Sequence, residues 1–334
     1  MIKSILVRLR NLLNSLHVMH KKRSEGEISE ASADERAACE NVHETVFLPN
    51  LHKLKPRALG VLLCYNDADI LPEAIEHLLA NNHQVIAWDH GSTDDTAAVL
   101  RRYSDELVET KFLPREFDFY SLYGAMSENL LERYVDKYDW ISWPDQDEFL
   151  EGPTRECSYY DFVTEVFNSQ FDWVQFHNLL YWFTSEDDLS VQSATKRVRR
   201  YCDFPDCSPR MRAWRASCTN IRWFNHNDPD GVKYPEMGKL RHYQMRSLEH
   251  ALQRITKDRT GLQRGATIAY YNLMNTWKDR LIIDPHRLHF DDGRSELSVE
   301  PIFNWRYVYG THEEQSLYAD LYPHPAPSVA SVSG

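Results

Sequence analysis

Leu59-Gly-Val-Leu-Leu-Cys64 runs straight into Tyr65-Asn-Asp-Ala-Asp69, and the pattern repeats twice. Gln84-Val-Ile-Ala-Trp88 runs into Asp89-His-Gly-Ser-Thr-Asp-Asp95, and Trp140-Ile-Ser-Trp143 into Pro144-Asp-Gln-Asp-Glu-Phe149. A continuous apolar run of this length reads as a strand buried on both faces. Between the runs, Ile70–Leu79, Thr96–Tyr103 and Leu122–Tyr134 carry apolar residues at helical spacing, with Pro72 in the first turn of the first. Ser92 or Thr93 is the expected N-cap of the second helix. Strands alternating with helices imply a parallel sheet covered by helices and joined by right-handed crossovers. In such sheets ligands bind at the carboxyl ends of the strands. All three strand ends here are acidic, which solvation alone explains poorly.

Working outward, Trp173-Val-Gln-Phe176 and Arg210-Met-Arg-Ala-Trp-Arg215 read as further strands, and Ser247–Thr260 as a helix. The organisation expected is a basic amphipathic helix at 1–23 and an acidic linker at 24–55. One α/β domain follows at 56–322, and a disordered tail at 323–334. Within the domain, 56–150 is read as the nucleotide and metal half and 151–322 as the acceptor half, which includes a smaller acceptor-side subregion. Residues 2–23 have Leu and Ile at helical spacing, six Lys or Arg and no acid. They offer either a peripheral contact with an anionic membrane surface or a docked extension. The six cysteines form no C-x-x-C pair. They are read as reduced thiols of a cytoplasmic protein, with a Cys202–Cys207 bridge as the alternative in an oxidising compartment.

The chain has 334 residues and a net charge of −12 at pH 7. This argues against a nucleic-acid partner, which needs a basic face. It also repels phosphorylated substrates unless a local device reverses the sign. The excess is localised: residues 51–150 hold 9 basic against 19 acidic side chains, while 201–300 hold 16 against 13.

Asp145 and Asp147 supply that device. Two carboxylates two residues apart, where the chain turns out of a strand, can face one Mn²⁺ or Mg²⁺ while a diphosphate fills other positions. The competing reading is an ordinary acidic turn. Asp89 to Thr96 joins a strand end to a helix start. Its acid can accept from a base or ribose, Gly91 permits a tight turn, and Ser92 or Asp94 can cap the helix. A capped loop without a ligand is the plainer alternative. His286 and His289 with Asp291 and Asp292 form a rival metal cluster, although Pro285 and Gly293 break the helix that i, i+3 spacing would need.

Taken together, Tyr65-Asn-Asp-Ala-Asp-Ile-Leu-Pro-Glu73, Asp89-His-Gly-Ser-Thr-Asp-Asp-Thr96 and Asp145-Gln-Asp-Glu-Phe-Leu150 resemble the glycosyltransferase family 2-like pattern over roughly residues 58–151. Tyr65, Asp67 and Asp95 stand where that family commonly has Arg, Glu and Gly. The resemblance implies a GT-A-like fold, with a mostly parallel central sheet flanked by helices. It implies metal-dependent transfer of a sugar from a nucleotide diphosphate sugar (UDP by family habit) to an acceptor hydroxyl. Inversion and a role in surface glycan or polysaccharide synthesis are the further expectations, with a glycan, lipid-linked or protein acceptor. Asn66, Asp67, Asp89, Ser92 and Asp94 are the implied nucleotide contacts. Leu240-Arg-His-Tyr-Gln-Met-Arg-Ser247 is similar to a His-Tyr-x-x-Arg-Ser segment of bacterial members. It implies His242 as third metal ligand and Arg246 as a diphosphate contact. Glu148 is the expected catalytic base, with Asp203, Asp206, Asp228 and Glu236 as alternatives. Two other classes compete. A nucleotidyltransferase would need a Gly- and Lys/Arg-rich loop that 64–72 lacks. A non-catalytic carbohydrate-binding protein on a degenerate transferase fold would not need the intact carboxylate pair.

Overall fold

A computed structural model describes residues 53–116, 119–203, 209–218, 230–256 and 281–300. The expected helix at 1–23, the linker up to residue 52 and the tail at 323–334 lie outside the described residues.

The first half follows the alternating pattern. Strand β1 (Ala58–Cys64) is buried along its whole length. It is followed by α1 (Leu71–Ala80), β2 (His83–Asp89), α2 (Thr96–Arg102), β3 (Leu107–Phe112), α3 (Phe119–Arg133) and β4 (Trp140–Ser142). The order is β3-β2-β1-β4, and every neighbour pair in it is parallel. The period of two in β1 distributes its side chains between the sheet's two faces. Leu62 and Cys64 pack with Leu71, Ile75, Leu78, Val99 and Leu100 of α1 and α2. Leu59, Val61 and Leu63 pack with Leu122, Tyr123, Met126 and Leu130 of α3. Gly60 lets α1 sit close, since a Cβ there would come within 2.9 Å of Leu78 Cδ1.

Beyond β4 the sheet continues with β5 (Glu148–Glu151), α4 (Tyr159–Phe167), β6 (Trp173–Trp182), α5 (Ala194–Arg197) and β7 (Arg200–Asp203). Then come β8 (Arg210–Arg215), β9 (Gly238–Met245), α6 (Leu248–Thr256) and the short β10 (His289–Phe290). Strand β8 pairs antiparallel with β4 and β6, so the parallel half is extended by an antiparallel one. Strand β9 lies parallel to β6 and antiparallel to β5, with Glu148 opposite His242. This last pairing folds the late segment back over the β4 exit. The architecture is therefore the expected α/β class: parallel central strands, helices on both faces and a distinct second half.

Several local expectations differ from what is seen. The helix expected from Ser247 begins at Leu248 and is described to Thr256. Leu240 to Met245, to which the sequence reading assigns no element, lies in a strand. Neither Ser92 nor Thr93 caps α2. Asp94 Oδ1 instead accepts from the Thr96 amide at 2.9 Å. Cys202 is a buried free thiol, and Cys207 lies outside the described residues.

Candidate active site

The three acidic strand ends meet at the carboxyl edge of the parallel strands. Cys64 of β1 lies beside Asp89 of β2, and Gly60 beside Ser142 of β4. Asn66 adopts a left-handed conformation, φ 54°, which short polar side chains tolerate. Its amide donates to Ser92 Oγ at 2.9 Å, and its Oδ1 accepts from the Thr93 amide at 2.7 Å. Asp94 Oδ2 accepts from the Ala68 amide at 3.1 Å. The Asp67 amide donates to Thr96 Oγ1 at 3.0 Å. Asn66, Ser92 and Asp94 thus bind the first two strand-end loops to one another. Asp89, buried at the end of β2, receives the Ser92 amide at 3.3 Å from both its oxygens. Gly91 turns between them at φ 63°, and a Cβ there would sit 2.9 Å from the Arg115 amide nitrogen.

The third loop joins from β4. Asp67 accepts from the Gln146 side chain on one oxygen and from Arg246 Nη2 at 3.0 Å on the other. Arg246 is buried and spends its guanidinium on three partners. Nε and Nη2 each donate to Asp69 at 2.6 Å, Nη2 also donates to Asp67, and Nη1 donates to the Tyr243 carbonyl at 3.2 Å. The expectation of a direct diphosphate contact meets a side chain already engaged with two carboxylates. In this structure Arg246 ties the β1 loop to the end of β9.

Asp147 and His242 come together beside the β5–β9 pairing, and Asp145 lies two residues ahead of Asp147. His242 Nε2 stands 3.6 Å from Asp147 Oδ1, and Arg254 Nη1 of α6 donates to Asp147 Oδ2 at 3.2 Å. Asp145 accepts from the Tyr123 hydroxyl at 3.1 Å and from Arg212 Nη2 at 3.1 Å. Its side chain keeps a quarter of its surface exposed. Burial, joined by the charge of Glu148 and opposed by Arg212, raises the Asp145 carboxyl to about 6. Burial would raise Asp147 as well, but His242 and Arg254 hold it well below the usual carboxylate range.

Glu148, the base expected from sequence, is held among arginines. Its carboxylate has no exposed surface, and Arg210 Nη1, Arg212 Nε and Arg212 Nη2 donate to it at 2.7, 2.5 and 2.9 Å. It also accepts the Asp145 amide at 3.0 Å. Burial pushes its pKa up, and the two arginines overcome this and bring it down to about 2. A carboxylate so held is a poor proton acceptor. It anchors the turn that presents Asp145 and Asp147.

Among the described residues no three His, Cys, Asp or Glu side chains are already drawn into a metal-ligand cluster. The residue types nonetheless suit a hard divalent cation: two carboxylates, and an imidazole whose buried Nδ1 has no hydrogen-bond partner. The rival cluster does not fit. The Asp291 carboxylate is bound to Tyr181 and Arg155, and His289 Nε2 contacts the Glu300 carbonyl at 2.9 Å. Of the alternative bases, Asp206 and Asp228 lie outside the described residues, Asp203 sits on β7 beside Leu179, and Glu236 is exposed ahead of β9. Sequence reasoning passed over Gln146, Arg210, Arg212 and Arg254. Only Arg210 and Arg212 left a signal, two arginines with the period of two in a strand otherwise bound for the core.

Residues 61–153 match the family model described as glycosyl transferase family 2. This segment of the chain is similar to glycosyl transferase family 2. The matched segment spans β1 to β5 and holds every acidic strand end described above. No curated protein matches the chain. Among solved structures it is similar to TarS of S. aureus, at 10% identity over 66% of this chain and 42% of that one, with a TM-score of 0.32. The 1–349 fragment of TarS gives 11% identity, 79% and 78% coverage, and 0.32. A third is the mannosyltransferase PcManGT from Pyrobaculum calidifontis, in complex with GDP-Man and Mn²⁺. It gives 16% identity, 45% and 41% coverage, and 0.28. The chain spans about two fifths of the length of full TarS and of PcManGT.

Proposed function

We propose that this family 2-like domain transfers a sugar from a nucleotide diphosphate sugar to an acceptor hydroxyl, depends on Mn²⁺ or Mg²⁺, and inverts the anomeric centre. The observation that supports this is the contact of His242 with Asp147, in the turn that also holds Asp145, together with the Asp89 and Asn66 loops at the carboxyl edge of parallel strands. Asp145, Asp147 and His242 would hold the cation, which supplies positive charge to the departing diphosphate. Asp89, at the end of β2, is placed to accept from the base or ribose, while Asn66, Asp67, Ser92 and Asp94 shape the loops around it. Arg246 contributes by fixing Asp67 and Asp69, and a phosphate contact from its Nη1 would require it to leave the Tyr243 carbonyl.

Inversion needs a carboxylate to take the acceptor proton. With Glu148 held by its arginines, we assign that group to the acceptor-side half. A cytoplasmic setting, with contact to the inner face of a membrane through residues 2–23, is part of the same proposal. It is supported by the buried Cys202 thiol, and no described helix is long and apolar enough to cross a membrane. The acceptor is then a glycan, lipid-linked or protein hydroxyl in surface glycan synthesis.

A screen of donor hydrolysis tests the reaction without knowledge of the acceptor. With Mn²⁺ present, at least one nucleotide sugar should release its sugar, and chelation should stop the release. Failure of every donor, with thermal unfolding showing an intact fold, would favour a carbohydrate-binding module.

A further inference from the structure

Strand alternation puts His242 and Arg241 on opposite faces of β9. His242 faces the site described above. Arg241 faces a separate cavity of about 300 Å³, which Arg155, Lys196, Arg199, Asp291 and Gly293 also line. That volume is at the low end of small-molecule sites, roughly 300–1,000 Å³. Four cationic side chains against one carboxylate is an unusual wall in a chain of net charge −12.

The local charges do not cancel. Asp291 is fully occupied, accepting from Arg155, from the Tyr181 hydroxyl at 2.7 Å and from the Gly293 amide at 2.9 Å. Arg241 Nε lies 2.6 Å from Glu151 Oε1, and its Nη1 donates to the Tyr243 hydroxyl at 3.1 Å. Arg155 and Arg241 are thereby compensated. Arg199 is not. Its Nε donates to a neutral acceptor, the Asp291 carbonyl, at 2.7 Å, and its guanidinium stacks on Phe290. The Lys196 ammonium has no hydrogen-bond or ion-pair partner among the described residues. Two uncompensated cations therefore face a cavity whose remaining charges are already paired.

We propose that this cavity is a second anion site, built for a phosphate-type dianion, either free or carried on a sugar as a monoester. Lys196 supplies a point charge. The Arg199 fork offers its two terminal nitrogens, the geometry suited to two phosphate oxygens. The site stands apart from the nucleotide centre and does not depend on the catalytic reading.

Calorimetric titration of inorganic phosphate into the full chain, without metal, tests this. Saturable binding is expected in the wild type and, with the same affinity, in Asp145→Asn/Asp147→Asn. Lys196→Ala/Arg199→Gln should weaken it at least tenfold. Lys196→Glu, at an exposed position that leaves the core untouched, should weaken it comparably without moving the unfolding temperature. Glucose 6-phosphate binding more tightly than phosphate would identify a sugar monoester as the ligand, and equal affinity would identify free phosphate. No saturable binding in the wild type, unchanged binding in the Lys196 and Arg199 variants, or loss in the Asp145 and Asp147 variant would each overturn the proposal.

Discussion

Glu148, next to the Asp145 and Asp147 pair, is held in the fold by buried ion pairs. Removing one partner of a buried ion pair leaves the other charge uncompensated and costs about 3–5 kcal/mol. Glu148→Gln strands Arg210 and Arg212 in this way. It should lower the denaturant midpoint by an amount in that range, so that lost turnover tracks lost folded protein. An unchanged midpoint with abolished turnover would return Glu148 to the role of base. Gly91 makes the complementary case. At φ 63°, with Arg115 backbone 2.9 Å from where a Cβ would lie, Gly91→Ala has no relaxed conformation to adopt. A cost of about 1–3 kcal/mol is expected. Weakened nucleotide binding should accompany it, because the Asp89–Ser92 contact lies in the same turn. Equal stability and affinity in the alanine variant would remove the strain argument.

At the scale of elements, the strands are pinned by polar networks as well as by packing. His83 opens β2. Its Nδ1–H donates to the Asn81 carbonyl at 2.7 Å, and its Nε2 lies 2.8 Å from Ser142 Oγ of β4. Burial lowers its pKa from 6.5 to about 4, against the Asn81 hydrogen bond, which raises it. Below pH 6.5 the unfolded chain therefore takes up a proton that the folded chain does not. The stabilisation present at neutral pH is lost as pH falls from about 6.5 to about 4, and amounts to about 3 kcal/mol at 1.36 kcal/mol per unit. His83→Gln should flatten the fall in unfolding free energy over that window. An unaltered slope would mean the imidazole is protonated in the fold.

The elements also show what could be read in advance. β1, β2 and β4 are continuous apolar runs, and α1 and α2 carry clear helical spacing, so the parallel half was legible. β3 was not, because Leu-Val-Glu-Thr-Lys-Phe112 is a half-exposed edge with mixed polarity. β5 was hidden too, since Glu148 is an acidic residue buried in a strand by arginines more than 60 residues away. The same distance hid the site's cations. Asp145 and Asp147 announce themselves by spacing, whereas Arg212 and Arg254 reach them only through strand and helix pairing.

For the whole molecule, a charge of −12 at first counts against any phosphorylated ligand. The fold resolves this by placement. The acidic half supplies the carboxylates of the strand-end loops, and the more basic half returns through β8, β9 and α6 to meet them with Arg212, His242, Arg246 and Arg254. A bound divalent cation would complete a balance that these residues only begin. Binding of a nucleoside diphosphate should therefore be coupled to the metal. The most direct measurement is calorimetric titration of UDP, GDP and dTDP, each with and without Mn²⁺, into wild type and Asp145→Asn/Asp147→Asn. At least one nucleotide should bind the wild type tenfold or more tighter with Mn²⁺, a gain of about 1.4 kcal/mol or larger, and the double variant should lose that gain. Tightening by Mn²⁺ that survives in the variant, or that is absent from the wild type for all three nucleotides, would contradict the assignment of this site.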